Sequence, residues 1–380
     1  EARRGLRKDP WDHRTPYPPV LIPRYLRLPV GGRIDARGNE IEPVNLDDVR
    51  TACATFRDEG VESIAVSLLN SFVNTSHEDA VAKLVRDENV CEWVSVSSDI
   101  VPIMGEYERT STTAVNAYVM PRVATYLTAL QQKLIDMGLK TKLLMLQSNG
   151  GAASLDQLIR QPVNLLLSGP SAGVGAMQHL ATGIGENNLV SMEIGGTSCD
   201  VMLMHEGRVA ITDALSVNDY DLVTPSVDIH TVGAGGGTIS GIDGAGLMYA
   251  GPEGAGANPG PAAYGLGGTR PTVTDAHLVL GRMRPGPYAG GSVSLDMSLA
   301  EKALDTEIAN PAGISRTDAA AGLIRIVEQN LLHAVERISI QRGYNPGRFI
   351  LIACGGAGPM HGASVGRKLG ARAVYIPRQA

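Results

Sequence analysis

One segment restricts this chain more than any other: Val190-Ser191-Met192-Glu193-Ile194-Gly195-Gly196-Thr197-Ser198-Cys199-Asp200-Val201-Met202-Leu203. The flanking apolar residues predict two buried strands, the second starting at Asp200, and Gly-Gly-Thr-Ser predicts a tight turn between them. Such a hairpin presents backbone N–H groups and two hydroxyls at its tip, with the carboxylates of Glu193 and Asp200 on either side. Amides and hydroxyls suit phosphate oxygens, while carboxylates suit a hydrated Mg²⁺ that balances phosphate charge. The segment is not the G-x-x-x-x-G-K-[ST] loop, and no lysine is nearby. A plain hairpin turn uses the same glycines, so this segment alone leaves both readings open.

Other glycine clusters extend the pattern. Phe349 to Cys354 reads as a buried strand entering Gly355-Gly356-Ala357-Gly358, after which a helix begins. Strand, glycine turn and helix let a phosphate approach the backbone at a helix N-terminus. Ser168-Gly169-Pro170-Ser171 similarly opens a helix after an expected strand from Asn164 to Leu167. Between Gly233 and Gly268 large apolar residues nearly vanish. The Pro and Asn turn formers there favour an ordered loop system over a linker, with the amides of Gly235 and Gly236 available to a ligand.

The remainder predicts alternating strands and helices. Helices are expected at Asp47–Glu59 and Glu78–Asp87, and strands at Ser63–Leu69, Trp93–Ser97 and Lys142–Leu146. A long helix follows from Val123, Leu127, Leu130, Leu134 and Met137, and a second from Leu323, Val327, Leu331, Val335 and Ile338. Residues 1–45, rich in Pro and Arg, read as an extended connector. The start shows no secretory signal and no Met, and the end follows a strand, so the sequence reads as a segment of a longer polypeptide. No apolar run reaches the roughly 20 residues of a membrane span. A net charge of −6 and only 4% aromatics argue against nucleic-acid binding. The scattered Cys53, Cys91, Cys199 and Cys354 lack metal-ligand spacing and read as reduced thiols of a cytoplasmic protein.

Seven motifs in order resemble the hydantoinase/oxoprolinase family within the sugar kinase/Hsp70/actin superfamily. They are Ser67–Asn74, Glu106–Thr113 with Asn116–Val119, Gln147–Gly151, Leu167–Val174, the Gly-Gly-Thr hairpin, Val227–Gly237 and Gly355–His361. The resemblance implies an α/β actin-like ATPase fold of ribonuclease-H-like halves, N-terminally truncated because the family's first phosphate motif would precede Glu1. It implies residues 1–115 as the C-terminal part of the family's N-terminal domain and 116–380 as the hydantoinase A-type ATPase domain. It further implies ATP and Mg²⁺: Gly195, Gly196, Thr197 and Ser198 on the phosphates, Gly355, Gly356 and Ala357 on the adenosine side, and Asp200 with Glu193 as catalytic and metal-binding carboxylates, Asp200 binding the hydrated Mg²⁺ or orienting the transfer. Two positions depart from the family pattern, Glu193 where Asp is usual and Cys199 where Thr is common.

The activity implied is ATP-dependent hydrolysis of a cyclic amide or imide through phosphorylation of its carbonyl oxygen. The implied partners are a small cyclic amide and a hydantoinase B-type subunit or fused domain, within an oligomer. Two alternatives remain open: a subunit of an ATP-dependent ketone carboxylase, and a non-catalytic nucleotide-binding switch. Asp228 and His230, two apart on an expected strand, would share a face. They are candidate catalytic residues and, with a further Asp or His, a conceivable Zn²⁺ or Mn²⁺ site. A structural role for both is the competing reading. Asp275-Ala276-His277 reads as a helix start capped by Thr274, and Glu106, Glu108 and Arg109 as a solvated charged stretch, although the resemblance makes Arg109 a cleft candidate.

Overall fold

The computed structural model describes residues 11–14, 20–217 and 220–378. The chain divides into two compact units. One comprises residues up to Ala172 together with Ile211–Val227; the other comprises Gly173–Ala210 and Asp228 onward. Among the described residues no helix is long and apolar enough to cross a membrane.

In the first unit, helices Leu46–Asp58 and Ser76–Asp87 cover the parallel strand pair Ser63–Val66 and Trp93–Val96. Asn45 caps the first helix by accepting the Asp47 N–H at 3.0 Å. Val49, Cys53, Ile64, Val66, Val81 and Val85 form its small core. The long helix starts at Glu106, well before the apolar periodicity at Val123, and runs to Asp136. The 115/116 boundary drawn from sequence falls inside it. Of the charged start, Glu106 is exposed as expected, but Arg109 is only 1% exposed, with its guanidinium 5.6 Å from the Phe72 ring centre, so it is not part of a solvated stretch. The strand expected at 164–167 is absent. Pro162 instead opens a 3₁₀ turn through Leu165, and Leu167 takes a left-handed φ of 59°. The connector expected at 1–45 lies partly outside the described residues; its end forms a small antiparallel pair, Arg33–Ile34 with Glu40–Glu42.

The second unit is built on a six-stranded sheet: β1 (Leu189–Ile194), β2 (Cys199–His205), β3 (Arg208–Val209), β4 (Ile229–Val232), β5 (Ile350–Cys354) and β6 (Ala373–Tyr375). Its spatial order is β4-β2-β1-β5-β6, with β3 paired to β2. β1, β5 and β6 are parallel, and β2 runs antiparallel to β1 and β4. Helices of this unit are α1 (Gly173–Ile184), α2 (Val273–Val279), α3 (Arg316–Ile338) and α4 (Gly358–Leu369).

Strand alternation sorts the sheet into two faces. Val190, Met192 and Ile194 of β1, Cys199, Val201 and Leu203 of β2, and Leu351 and Ala353 of β5 share one core with α3. From α3 come Leu323, Val327, Leu331, Val335 and Ile338, at the three- and four-residue spacing read from sequence. Each such burial is worth roughly 1.5–3 kcal/mol before entropy is counted. α4 closes on the same side through glycines. A Cβ on Gly362 would stand 2.6 Å from the Ala353 Cβ, so the helix reaches the strand only because the side chain is missing.

Candidate functional site

β1 and β5 are neighbouring parallel strands, so their carboxyl ends lie together, with Cys354 opposite Glu193. Each strand ends in a glycine turn, 195–198 after β1 and 355–358 after β5. The turns touch: the Ala357 N–H bonds the Ile194 carbonyl at 3.1 Å, and a Cβ on Gly355 would fall 2.5 Å from that same oxygen. Gly355 also has φ of 77°, so it is glycine for backbone reasons alone. The carboxyl edge of a parallel sheet is where ligands of open α/β folds bind.

Gly196 and Gly356 differ in kind. Both are exposed, neither has positive φ, and a Cβ on either would meet nothing within 4 Å. Neither local packing nor backbone strain calls for glycine there. The N–H groups of Gly196, Thr197 and Gly356 have no partner among the described residues. Bare amides in open space at adjacent strand ends suit close approach by an anion.

Beneath the first turn lies the glycine run after β4. Gly236 donates to the Gly195 carbonyl at 3.0 Å, and Gly237 to the Gly196 carbonyl at 2.7 Å. A Cβ on Gly235 would come within 2.7 Å of the Gly196 carbonyl and the Thr197 nitrogen. Gly235 is buried, and its N–H is taken by Thr238 Oγ1 at 2.8 Å. These glycines therefore support the turn from below; the amides of Gly235 and Gly236 are already spent. Gly236 is itself gripped by α2, whose Thr274 donates to its carbonyl through both the backbone N–H (2.8 Å) and Oγ1 (2.9 Å). α2 is capped by Thr272 rather than by the expected Thr274. The Asp275 carboxylate accepts from the Thr272 N–H (2.7 Å) and from the Ala263 N–H (2.7 Å). Sequence reading missed Thr274 as a clamp, although the T-x-x-D spacing of Thr272 and Asp275 was the available signal.

A polar row crosses the sheet at this edge. Cys354, Glu193, Asp200 and Thr231 are consecutive register partners on β5, β1, β2 and β4, and so share a face. Thr231 Oγ1 donates to the Asp200 carboxylate at 2.5 Å. Desolvation raises the Glu193 carboxyl above its usual range, and the Asp200 charge raises it further. Two carboxylates that repel one another beside bare amides fit a hydrated Mg²⁺ carried by a phosphate, since that ion keeps its waters and takes few protein ligands. Among the described residues no group of three or more His, Cys, Asp and Glu gathers as a metal cage.

Asp228 and His230 are not brought to this row. His230 is the register partner of Val201, which puts it on the opposite face, toward α3, while Asp228 forms an ion pair with Arg342. His277 and His361 are fully buried and face each other, Nε2 to Nε2, at 3.1 Å. Burial pushes both imidazoles down, to about 3 and about 4. Burial also raises the thiols of Cys199 and Cys354, the latter to about 11, so neither is a poised nucleophile.

The carboxyl edge of a mixed sheet, with paired glycine turns and two carboxylates beside bare amides, defines an α/β protein with an arrangement suited to an anionic ligand. Residues 109–380 match the hydantoinase/oxoprolinase family and residues 2–89 match its N-terminal region, so the chain belongs to that family. It is 37% identical to caprolactamase subunit alpha of Pseudomonas jessenii over all of its own length and 55% of that protein's. It is 39% identical to the acetophenone carboxylase gamma subunit of Aromatoleum aromaticum, over 92% of this chain and 48% of the relative. The crystal structure of the ATP-dependent caprolactamase from Pseudomonas jessenii superposes with a TM-score of 0.85 at 37% identity, covering 97% of this chain and 54% of that one. The chain thus spans about half the length of these relatives.

Proposed function

We propose that this chain is the ATP-handling region of an ATP-dependent cyclic amide hydrolase on an actin-like scaffold. The observation that carries the reading is the pair of unforced glycines, Gly196 and Gly356, with bare amides beside the Glu193–Asp200 carboxylates. Similarity to a lactam-opening enzyme supports the substrate class. Gly196, Thr197 and Ser198 contact the phosphates, Gly356 the adenosine side, and Asp200 with Glu193 orients the hydrated Mg²⁺ that neutralises their charge. Gly235, Gly236 and Ala357 act indirectly, by shaping the turns. Asp228 and His230, off this row, are assigned no step in the transfer.

An unstrained lactam is a poor electrophile. Transfer of the γ-phosphoryl to its carbonyl oxygen releases ADP and makes that oxygen a leaving group. Water then adds to the carbon, the ring C–N bond breaks with a proton passing to nitrogen, and a second water releases phosphate. Such transfer relies on positioning and charge neutralisation. A hydantoinase B-type partner, fused or separate, would supply the hydrolytic half in the cytoplasm.

The 39% identity to a ketone carboxylase subunit favours a second reading, ATP-dependent carboxylation of a ketone. ADP release by the full-length protein with its partner separates the two. We expect stimulation by a lactam, hydantoin or 5-oxoproline without bicarbonate. A requirement for both ketone and bicarbonate establishes the second reading, and ATP binding that no substrate accelerates sinks both in favour of a switch.

A further inference from the structure

His230, like Asp228, is singled out in the sequence and is left unused by the nucleotide-side reading. Its strand, β4, alternates: Thr231 faces the Asp200 row, while His230 and Val232 face α3. There an open pocket of about 400 Å³ is lined by His230, Val232, Asn330, His333, Arg337 and Gln341, of which His333, Arg337 and Gln341 are exposed at its mouth. That volume lies within the range of small-molecule sites. The lining holds two imidazoles, a guanidinium and two carboxamides, and no carboxylate.

The charge in this cavity is unbalanced. Neither Arg337 nor His230 has a hydrogen-bond or ion-pair partner among the described residues. Asp228, two residues before His230, is already engaged by Arg342. Asn330 donates to the Ala250 carbonyl at 3.3 Å, and His333 pairs with Gln329 at 2.8 Å, so these two lining residues already have partners. Burial lowers the His230 imidazole, and the Arg337 charge lowers it further. A guanidinium and an imidazole that sense each other with no anion between them are complemented by oxygen acceptors carrying negative charge.

We propose that this cavity binds a small oxyanion, a phosphate or a carboxylate, with Arg337 as the principal donor and His230 as the second. The site stands apart from the nucleotide edge, on the other face of the sheet, and holds whether or not the nucleotide reading does. Phosphate and carboxylate share the recognition chemistry, and the experiment separates them.

The test is site-specific. In the full-length protein labelled with ¹³C-histidine, the Cε1 resonance of His230 is identified by its loss in His230→Gln. Inorganic phosphate and acetate are then titrated separately at constant ionic strength, with chloride as the reference. We expect a saturable shift of His230 with one or both anions and an upward move of its pKa. Arg337→Gln should weaken binding at least about tenfold, the scale of one charge-assisted hydrogen bond, while Arg325→Gln, on the same helix but outside the pocket lining, should not. A phosphate-only, acetate-only or shared response identifies the ligand chemistry. If neither anion moves His230 beyond the chloride response, or if Arg337→Gln binds as well as the parent, the proposal is overturned.

Discussion

Glycines that look alike in the sequence have opposite jobs in this structure. Gly196 has room for a side chain and Gly235 has none. Gly196→Ala is therefore expected to leave thermal stability within about 0.5 kcal/mol, as surface changes usually do. It should nevertheless weaken ATP binding about tenfold or more, because the new methyl occupies the open side of the turn. Gly235→Ala should destabilise by about 1–3 kcal/mol, since its Cβ meets the Gly196–Thr197 backbone. Thermal melts beside nucleotide titrations of both variants check the contrast; equal behaviour would remove the basis for placing phosphate at Gly196. At this scale the sequence made the glycine turns and both carboxylates legible. It did not show which glycines face outward, because that depends on what lies within a few ångströms across the fold. Nor could it show that Arg109 is buried, since its neighbours on the helix are charged.

At the scale of elements, α2 matters more than its seven residues suggest. Thr274 holds Gly236, and Gly236 holds Gly195, so a helix start is linked by consecutive hydrogen bonds to the turn. Thr274→Val removes the Oγ1 bond and keeps the backbone one. A loss of about 0.5–1.5 kcal/mol is expected. The KM for ATP should rise several-fold with a smaller change in kcat, and Thr274→Ser should restore it. A melt shifted as expected with ATP kinetics unchanged would reduce Thr274 to a purely structural role. Most elements could be read from periodicity, including the hairpin and both long helices. The failed strand at 164–167 shows why short apolar runs mislead: three consecutive leucines suit a strand, but Pro162 starts a 3₁₀ turn and the chain reverses at Leu167. The assignment of His230 to the nucleotide side failed on register, which depends on which residue of β2 lies opposite and is not written in β4 alone.

For the molecule as a whole, the buried His277–His361 pair sets an acid limit. In the native state the imidazoles titrate near 3 and 4, against about 6.5 when unfolded. The unfolded chain therefore binds more protons between those values. The stabilisation is complete above about pH 6.5 and is lost as pH falls toward 4, with a slope approaching about 2–3 kcal/mol per pH unit where both titrate. Urea unfolding from pH 7 to 4.5 should show that slope, and His277→Gln should reduce it by about one proton. An unchanged slope in the variant would assign the acid sensitivity to other groups.

The path of the chain carries its own consequence for how such a protein can be rearranged. The polypeptide passes between the two units at 172/173, 210/211 and 227/228, because Ile211–Val227 returns to the first unit. There Val227 bonds the Ser148 carbonyl at 2.7 Å and Val223 bonds Thr112 Oγ1 at 2.9 Å. A single gene crossover near residue 172 would leave one parent's Ile211–Val227 segment, an antiparallel strand pair, to dock on the other parent's helix. Exchange of either unit as a working module needs breakpoints on both sides of the excursion, so chimaeras between relatives should tolerate paired junctions far better than single ones.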